Sequence, residues 1–103
     1  MKSILPAFAL LVIATSAQAE TVWMPATACQ SKATAVQAFK LLSDGDKAGL
    51  DRFTKEKAAS GECTALKKDT KVTMEDLSID DGLVCVKAAG AASCLWMPLG
   101  AIN

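Results

Sequence analysis

The chain has 103 residues, with 11 basic and 11 acidic side chains and no histidine. A chain this short forms one small domain, whose thin core folds with little margin unless it is cross-linked. Balanced charge without a long single-sign block excludes a nucleic-acid or anionic-membrane surface, and the lack of histidine removes the usual general base and a common metal ligand.

Lys2, the apolar stretch from Ile4 to Ala14 and the triplet Ala17-Gln18-Ala19 have the order of a charged n-region, an h-region and an A-x-A cleavage site. Residues 1–19 therefore read as a signal peptide, and the mature protein is expected to start at Glu20 as 84 residues with a net charge of −1. The apolar run is too short to span a bilayer, and no cysteine follows the cleavage site to accept a lipid. The expected protein is exported, periplasmic or secreted, with no membrane anchor.

In chain order, Thr21 to Met24 reads as an N-terminal strand ended by Pro25. From Ser31 to Ser43, the residues Ala35, Val36, Phe39 and Leu42 recur at helical spacing behind Ser31, a suitable N-cap. Gly45 stops that helix, and Asp46 caps a second from Lys47 to about Ala59, with Leu50 and Phe53 on its apolar side and Gly61 at its end. The pair forms an expected antiparallel helical hairpin. From Cys63 onward the pattern turns to strands: Val72 and Met74 alternate with polar residues, then Leu83-Val84-Cys85-Val86 and Cys94-Leu95-Trp96-Met97 flank Ala89-Gly90. The fold class is α+β, with residues 20–62 (strand and helical hairpin) and 63–103 (β unit) making one compact domain.

In an oxidising compartment, Cys29, Cys63, Cys85 and Cys94 read as a covalent framework. Four cysteines allow three connectivities. A helical hairpin turning at Gly45 brings Cys29 and Cys63 to the same end, and a two-residue loop at Ala89-Gly90 sets Cys85 directly opposite Cys94. The expected bonds are Cys29–Cys63 and Cys85–Cys94. The cysteine spacings of 34, 22 and 9 match no zinc ribbon, and no C-x-x-C is present.

No catalytic constellation is legible. Asp44-Gly45-Asp46 has the first acidic positions of a calcium loop, but Ala48 and Lys55 stand where further ligands are needed, so it reads as a helix–helix turn. With the cysteines oxidised and no G-x-S-x-G or S-x-x-K in the mature part, the expected protein is not an enzyme and carries no cofactor or metal.

The segments Leu66-Lys67-Lys68-Asp69-Thr70-Lys71-Val72-Thr73-Met74, Gly82-Leu83-Val84-Cys85-Val86 and Cys94-Leu95-Trp96-Met97 resemble the bacterial SH3-like barrel, with Asp69 at its usual turn glycine and Cys94-Leu95 where a glycine precedes the tryptophan. The resemblance covers less than half of the mature chain. It implies a small closed or partly open barrel, or a meander, used as a binding module for cell-wall polymer or protein. The aromatic groove of proline-rich-peptide binders is not matched, because the chain has no tyrosine.

Alternation places Trp96 on one strand face with Leu83, Cys85 and Cys94, opposite Val84, Val86, Leu95 and Met97. If only the aliphatic face is inside, Trp96, Leu83 and the disulfide form an outward apolar platform. If the helices pack on that platform, Trp96 is a second core. Trp23, in the first of two Trp-Met-Pro triplets, is the other candidate contact. The expected function is a non-catalytic binding module with peptidoglycan as ligand; the alternative is an interaction or inhibitor protein acting on a periplasmic protein.

Overall fold

The computed structural model describes residues 19–103, so the expected leader lies outside the described residues except for Ala19. The order of elements is strand β1 (Ala19–Thr21), strand β2 (Ala26–Cys29), helix α1 (Lys32–Ser43), helix α2 (Lys47–Ser60), and strands β3 (Cys63–Leu66), β4 (Lys71–Ser78), β5 (Leu83–Ala88) and β6 (Leu95–Pro98). Short 3-10 turns, Ile79–Asp81 and Leu99–Ala101, follow β4 and β6. The fold is α+β. All six strands join one antiparallel sheet in the order β1-β4-β5-β6-β2-β3, which is not closed.

The helices form where their caps and apolar spacing dictate. Ser31 Oγ accepts the Thr34 N–H at 3.2 Å, and Asp46 Oδ1 accepts the Gly49 N–H at 2.9 Å, so each N-terminus has a donor satisfied by its N-cap. Both helices lie in the excursion 30–62 between two strands that pair with each other, from Ala26 opposite Leu66 to Cys29 opposite Cys63. The Cys29–Cys63 disulfide, with 4.0 Å between the Cα atoms, ties the neck of that excursion. Beyond it, the Gln30 N–H donates to Glu62 O at 2.8 Å, and Gln30 Nε2 donates to Gly61 O at 2.7 Å.

The sheet carries a core on each face. One side gathers Val22, Ala28, Val72, Val84, Val86, Met97 and Ala101. The other gathers Cys29, Cys63 and Leu83 beneath Ala35 of α1, with Val36, Phe39 and Trp96 packed around them. Fully burying side chains such as Leu83 and Met97 contributes about 1.5–3 kcal/mol each. Of the two arrangements the alternation allowed for Trp96, the helix-covered one is present.

The strands differ from expectation in two places. The chain from Thr21 to Met24 is not one strand: Val22 makes a single bridge to Ile102, and Trp23 to Pro25 separate β1 from β2. Thr21 and Asn103 exchange N–H···O bonds of 3.2 and 2.9 Å, so the C-terminal residues run beside the free side of β1. The β5–β6 register is also two residues from the expected one, because Cys85 faces Trp96 and not Cys94. The turn does form at Ala89-Gly90, where the Ala91 N–H bonds to Ala88 O and Gly90 takes a φ of +82°. The chain then spends Ala92 and Ser93 in bends before pairing resumes at Leu95. Cys94 consequently meets Cys85 diagonally, across 5.4 Å between Cα atoms.

Two stability results follow from this arrangement. On the chain-entropy argument, replacing Cys29 and Cys63 together by alanine costs about 4 kcal/mol in urea unfolding, against about 3 kcal/mol for the shorter loop of Cys85 and Cys94; a parent-like midpoint for either double variant contradicts it. At the entry to β5, Gly82 has a φ of +68°, and a Cβ there would stand 3.3 Å from the Phe39 ring. Gly82→Ala therefore lowers stability by about 1–2 kcal/mol, read as a lower urea midpoint, and an unchanged midpoint refutes the contact.

Candidate functional site

Where α1 extends beyond the second core, it leaves a groove of ≈ 470 Å³ between the helices and the sheet. Its floor is made by Thr27 of β2, Ala65 of β3 and Pro98 of β6, and its helical wall by Ala35, Ala38, Phe39, Leu42 and Leu50. Met24 and Pro25 close one end, next to Gly100 and Ala101. The recess exists because small side chains occupy its floor and wall while large ones stand around them. Thr27 supplies the lining's one polar side chain, so the groove suits an uncharged apolar group.

The rim is unusually apolar for exposed surface. Leu42 is 53% exposed, Trp23 47% and Met24 40%. Leu42 keeps helical spacing with the core residues of α1, yet about half of its surface stays open. The Trp23 indole is held in place, since Nε1 donates to Gly100 O at 2.7 Å. It presents an oriented aromatic surface beside the groove.

The residues singled out from the sequence do not converge on one surface. Leu83 is 0% exposed and packs in the core beneath α1, so it offers no surface to a ligand. Trp96 is half-buried beneath α1, and the Lys32 ammonium sits 5.4 Å from its ring centroid. The same ammonium is 4.0 Å from Asp81 Oδ2, and that oxygen accepts from Ser78 Oγ at 2.7 Å. Exposed contacts of this kind are worth about 1 kcal/mol or less, so the lysine tethers α1 over Trp96 only weakly. Trp23 is the candidate that remains accessible; it does not line the groove and is joined to it through the bond to Gly100 O. The groove-lining Ala38, Ala65 and Gly100 are not marked in the sequence, since small residues scattered over a helix, a strand and a turn leave no pattern.

A second, smaller hollow of ≈ 320 Å³ lies beside the neck, between Gln30, Gly61, Glu62 and Thr64 and the loop Ala91–Ser93. Glu62 Oε2 accepts the Ser31 N–H at 3.0 Å, at the N-terminus of α1. This backbone bond, followed by the Ser31 and Thr34 hydroxyls and the more distant Lys57 charge, holds the Glu62 carboxyl below its ordinary value of 4.5, against a small opposing effect of burial. Among the described residues, no group of three or more His, Cys, Asp or Glu is arranged to hold a metal ion.

Comparison of the chain with protein-family models, with curated proteins and with solved structures gave no match in any of the three.

Because the folded carboxyl of Glu62 has the lower pKa, its contribution to stability is complete above pH 4.5 and is lost as the pH falls through the folded value. Thermal unfolding of the parent across that range therefore shows a fall that Glu62→Gln lacks. Identical pH profiles for the two proteins contradict the cap.

Proposed function

We propose that this protein is a small exported, disulfide-stapled binding module without catalytic activity, and that its ligand places an uncharged apolar group in the groove between the helices and the sheet. The observation that carries this reading is the groove itself. Its volume falls in the ~300–1,000 Å³ range of small-ligand sites, and its lining is apolar with a single polar side chain. A stable domain this small gains by filling such a recess, and exposed Met24 and Leu42 at the rim add apolar surface that water solvates poorly.

An SH3-like, partly open barrel is the finer description we favour for the β unit. The run β4-β5-β6 is a meander, and the bridge from Val22 to Ile102 draws the C-terminus against the first strand. Asp69 takes a φ of +74°, the left-handed conformation that a turn glycine would supply there. The two helices would then be an excursion grafted between strands of the barrel as a helical hairpin. Two disulfides are compatible with an oxidising compartment, and we place the protein in the periplasm or outside the cell.

The position of Trp96 under α1 disfavours a flat aromatic platform for polymer and leaves the groove as the binding surface, which accepts an apolar group from a small ligand or from a partner protein. Cell-wall polymer remains the second reading because of Trp23, whose ring is 47% exposed and fixed by its bond to Gly100, as stacking on a sugar requires.

The test is binding of the apolar fluorophore N-phenylnaphthylamine to the oxidised mature protein, beside Ala65→Phe, which fills the groove from an exposed strand position. Saturable binding by the parent that falls at least about tenfold in the variant supports the groove, since a tenfold change corresponds to ~1.4 kcal/mol. Equal binding by both rejects it. Co-sedimentation with peptidoglycan that is abolished by Trp23→Ala would establish the polymer reading in its place.

A further inference from the structure

A basic turn lies at the end of the molecule where Met24 lines the groove. Ala65, on its floor, is followed after one residue by Lys67 and Lys68, both exposed. These lysines lie in the turn between β3 and β4, and two backbone bonds fasten that turn to Val22, two residues before Met24. The Asp69 N–H donates to Val22 O at 2.6 Å, and the Val22 N–H donates to Thr70 O at 2.9 Å. Ala26, which also lines the groove, pairs with Leu66, the residue just before Lys67. The backbone therefore carries Met24, Trp23 and the Lys67-Lys68 pair at the same end of the molecule. Lys71 is directed elsewhere, donating to Thr21 Oγ1 at 3.2 Å. The turn carries Lys67, Lys68 and Asp69, two positive charges and one negative, for a net charge of +1.

We propose that the occupant of the groove is a single-chain anionic amphiphile, such as a fatty acid, with its hydrocarbon chain between α1 and the sheet and its carboxylate at the Lys67-Lys68 turn. This deepens the reading of the groove as the binding site and rests on it. Two properties of the groove and its surroundings select this chemistry. The lining has no charged side chain, so the body of the ligand is hydrocarbon. The basic turn at that end of the molecule complements a negative head, and the exposed Trp23, joined to the groove-lining Gly100 by its indole N–H, suits the boundary between an apolar chain and a polar head. The lysines are in water and are screened by salt, so they orient the ligand and select its charge while the groove supplies the affinity.

The experiment compares decanoate, decanol and decylamine, each below its critical micelle concentration, as competitors of N-phenylnaphthylamine on the oxidised mature protein at low salt. The proposal expects decanoate to bind about fivefold more tightly than decanol and decylamine to bind most weakly, as one exposed charge pair implies. Lys67→Glu/Lys68→Glu, checked for parent-like circular dichroism, reverses the order of decanoate and decylamine, and Ala65→Phe weakens all three. Equal affinity for the three compounds, unaffected by the lysine changes but lost in Ala65→Phe, overturns the anionic head while leaving the groove as an apolar site. Competition by none of them, or competition indifferent to Ala65→Phe, overturns the amphiphile together with the groove; a partner protein or polymer then becomes the ligand to seek.

Discussion

Closure of the neck at Cys29–Cys63 is the constraint on which the other features depend. The two helices occupy residues 30–62, and the strands on either side of that excursion pair with each other in the sheet. An excursion of this length between neighbouring strands has many conformations to lose. The disulfide, with a sequence separation of 34, removes most of them from the unfolded chain. It is also part of the packing: Cys29 and Cys63 sit with Leu83 and Ala35 in the core that joins the helical layer to the sheet.

The groove is a consequence of how that core ends. Beneath the N-terminal half of α1, Trp96, Leu83 and the disulfide provide enough volume to meet Val36 and Phe39. Toward Leu42 the facing residues become Thr27, Ala65 and Pro98, which are too small to reach the helix. Close packing elsewhere keeps the helix from collapsing onto them, because α1 also rests on β2 and β6 while α2 rests on β3. The recess is thus held open by the same contacts that stabilise the fold, and polar links at the neck, from Gln30 to Gly61 and from Ser31 to Glu62, fix where α1 begins.

Local chemistry made the helices legible in the sequence. Ser31, Asp46 and Gly61 are strong boundary residues, and the observed helices begin and end at them. Alternation in β5 and β6 was legible for a similar reason: Val84, Val86 and Met97 face one core while Leu83 and Trp96 face the other. Features set by distant contacts were not. The short strand Ala26–Cys29 has no alternation of large and polar residues, and it exists because β3 and β6 flank it. The two residues added after Gly90 shift a register that turn chemistry alone would place differently. The groove was illegible because alanine and glycine carry no periodic signal; their meaning emerges only when several of them meet across two layers.

Native-state hydrogen exchange on the double variant Cys29→Ala/Cys63→Ala tests the role of the neck most directly, because it reads each element separately. The account predicts that amides of β4, β5 and β6 lose protection only as far as global stability falls, while those of α1 and α2 lose more, by opening separately from the sheet. Helical protection that stays at the parent's level, or a loss spread evenly over helices and strands, would show that the excursion is held by packing alone and would contradict the account.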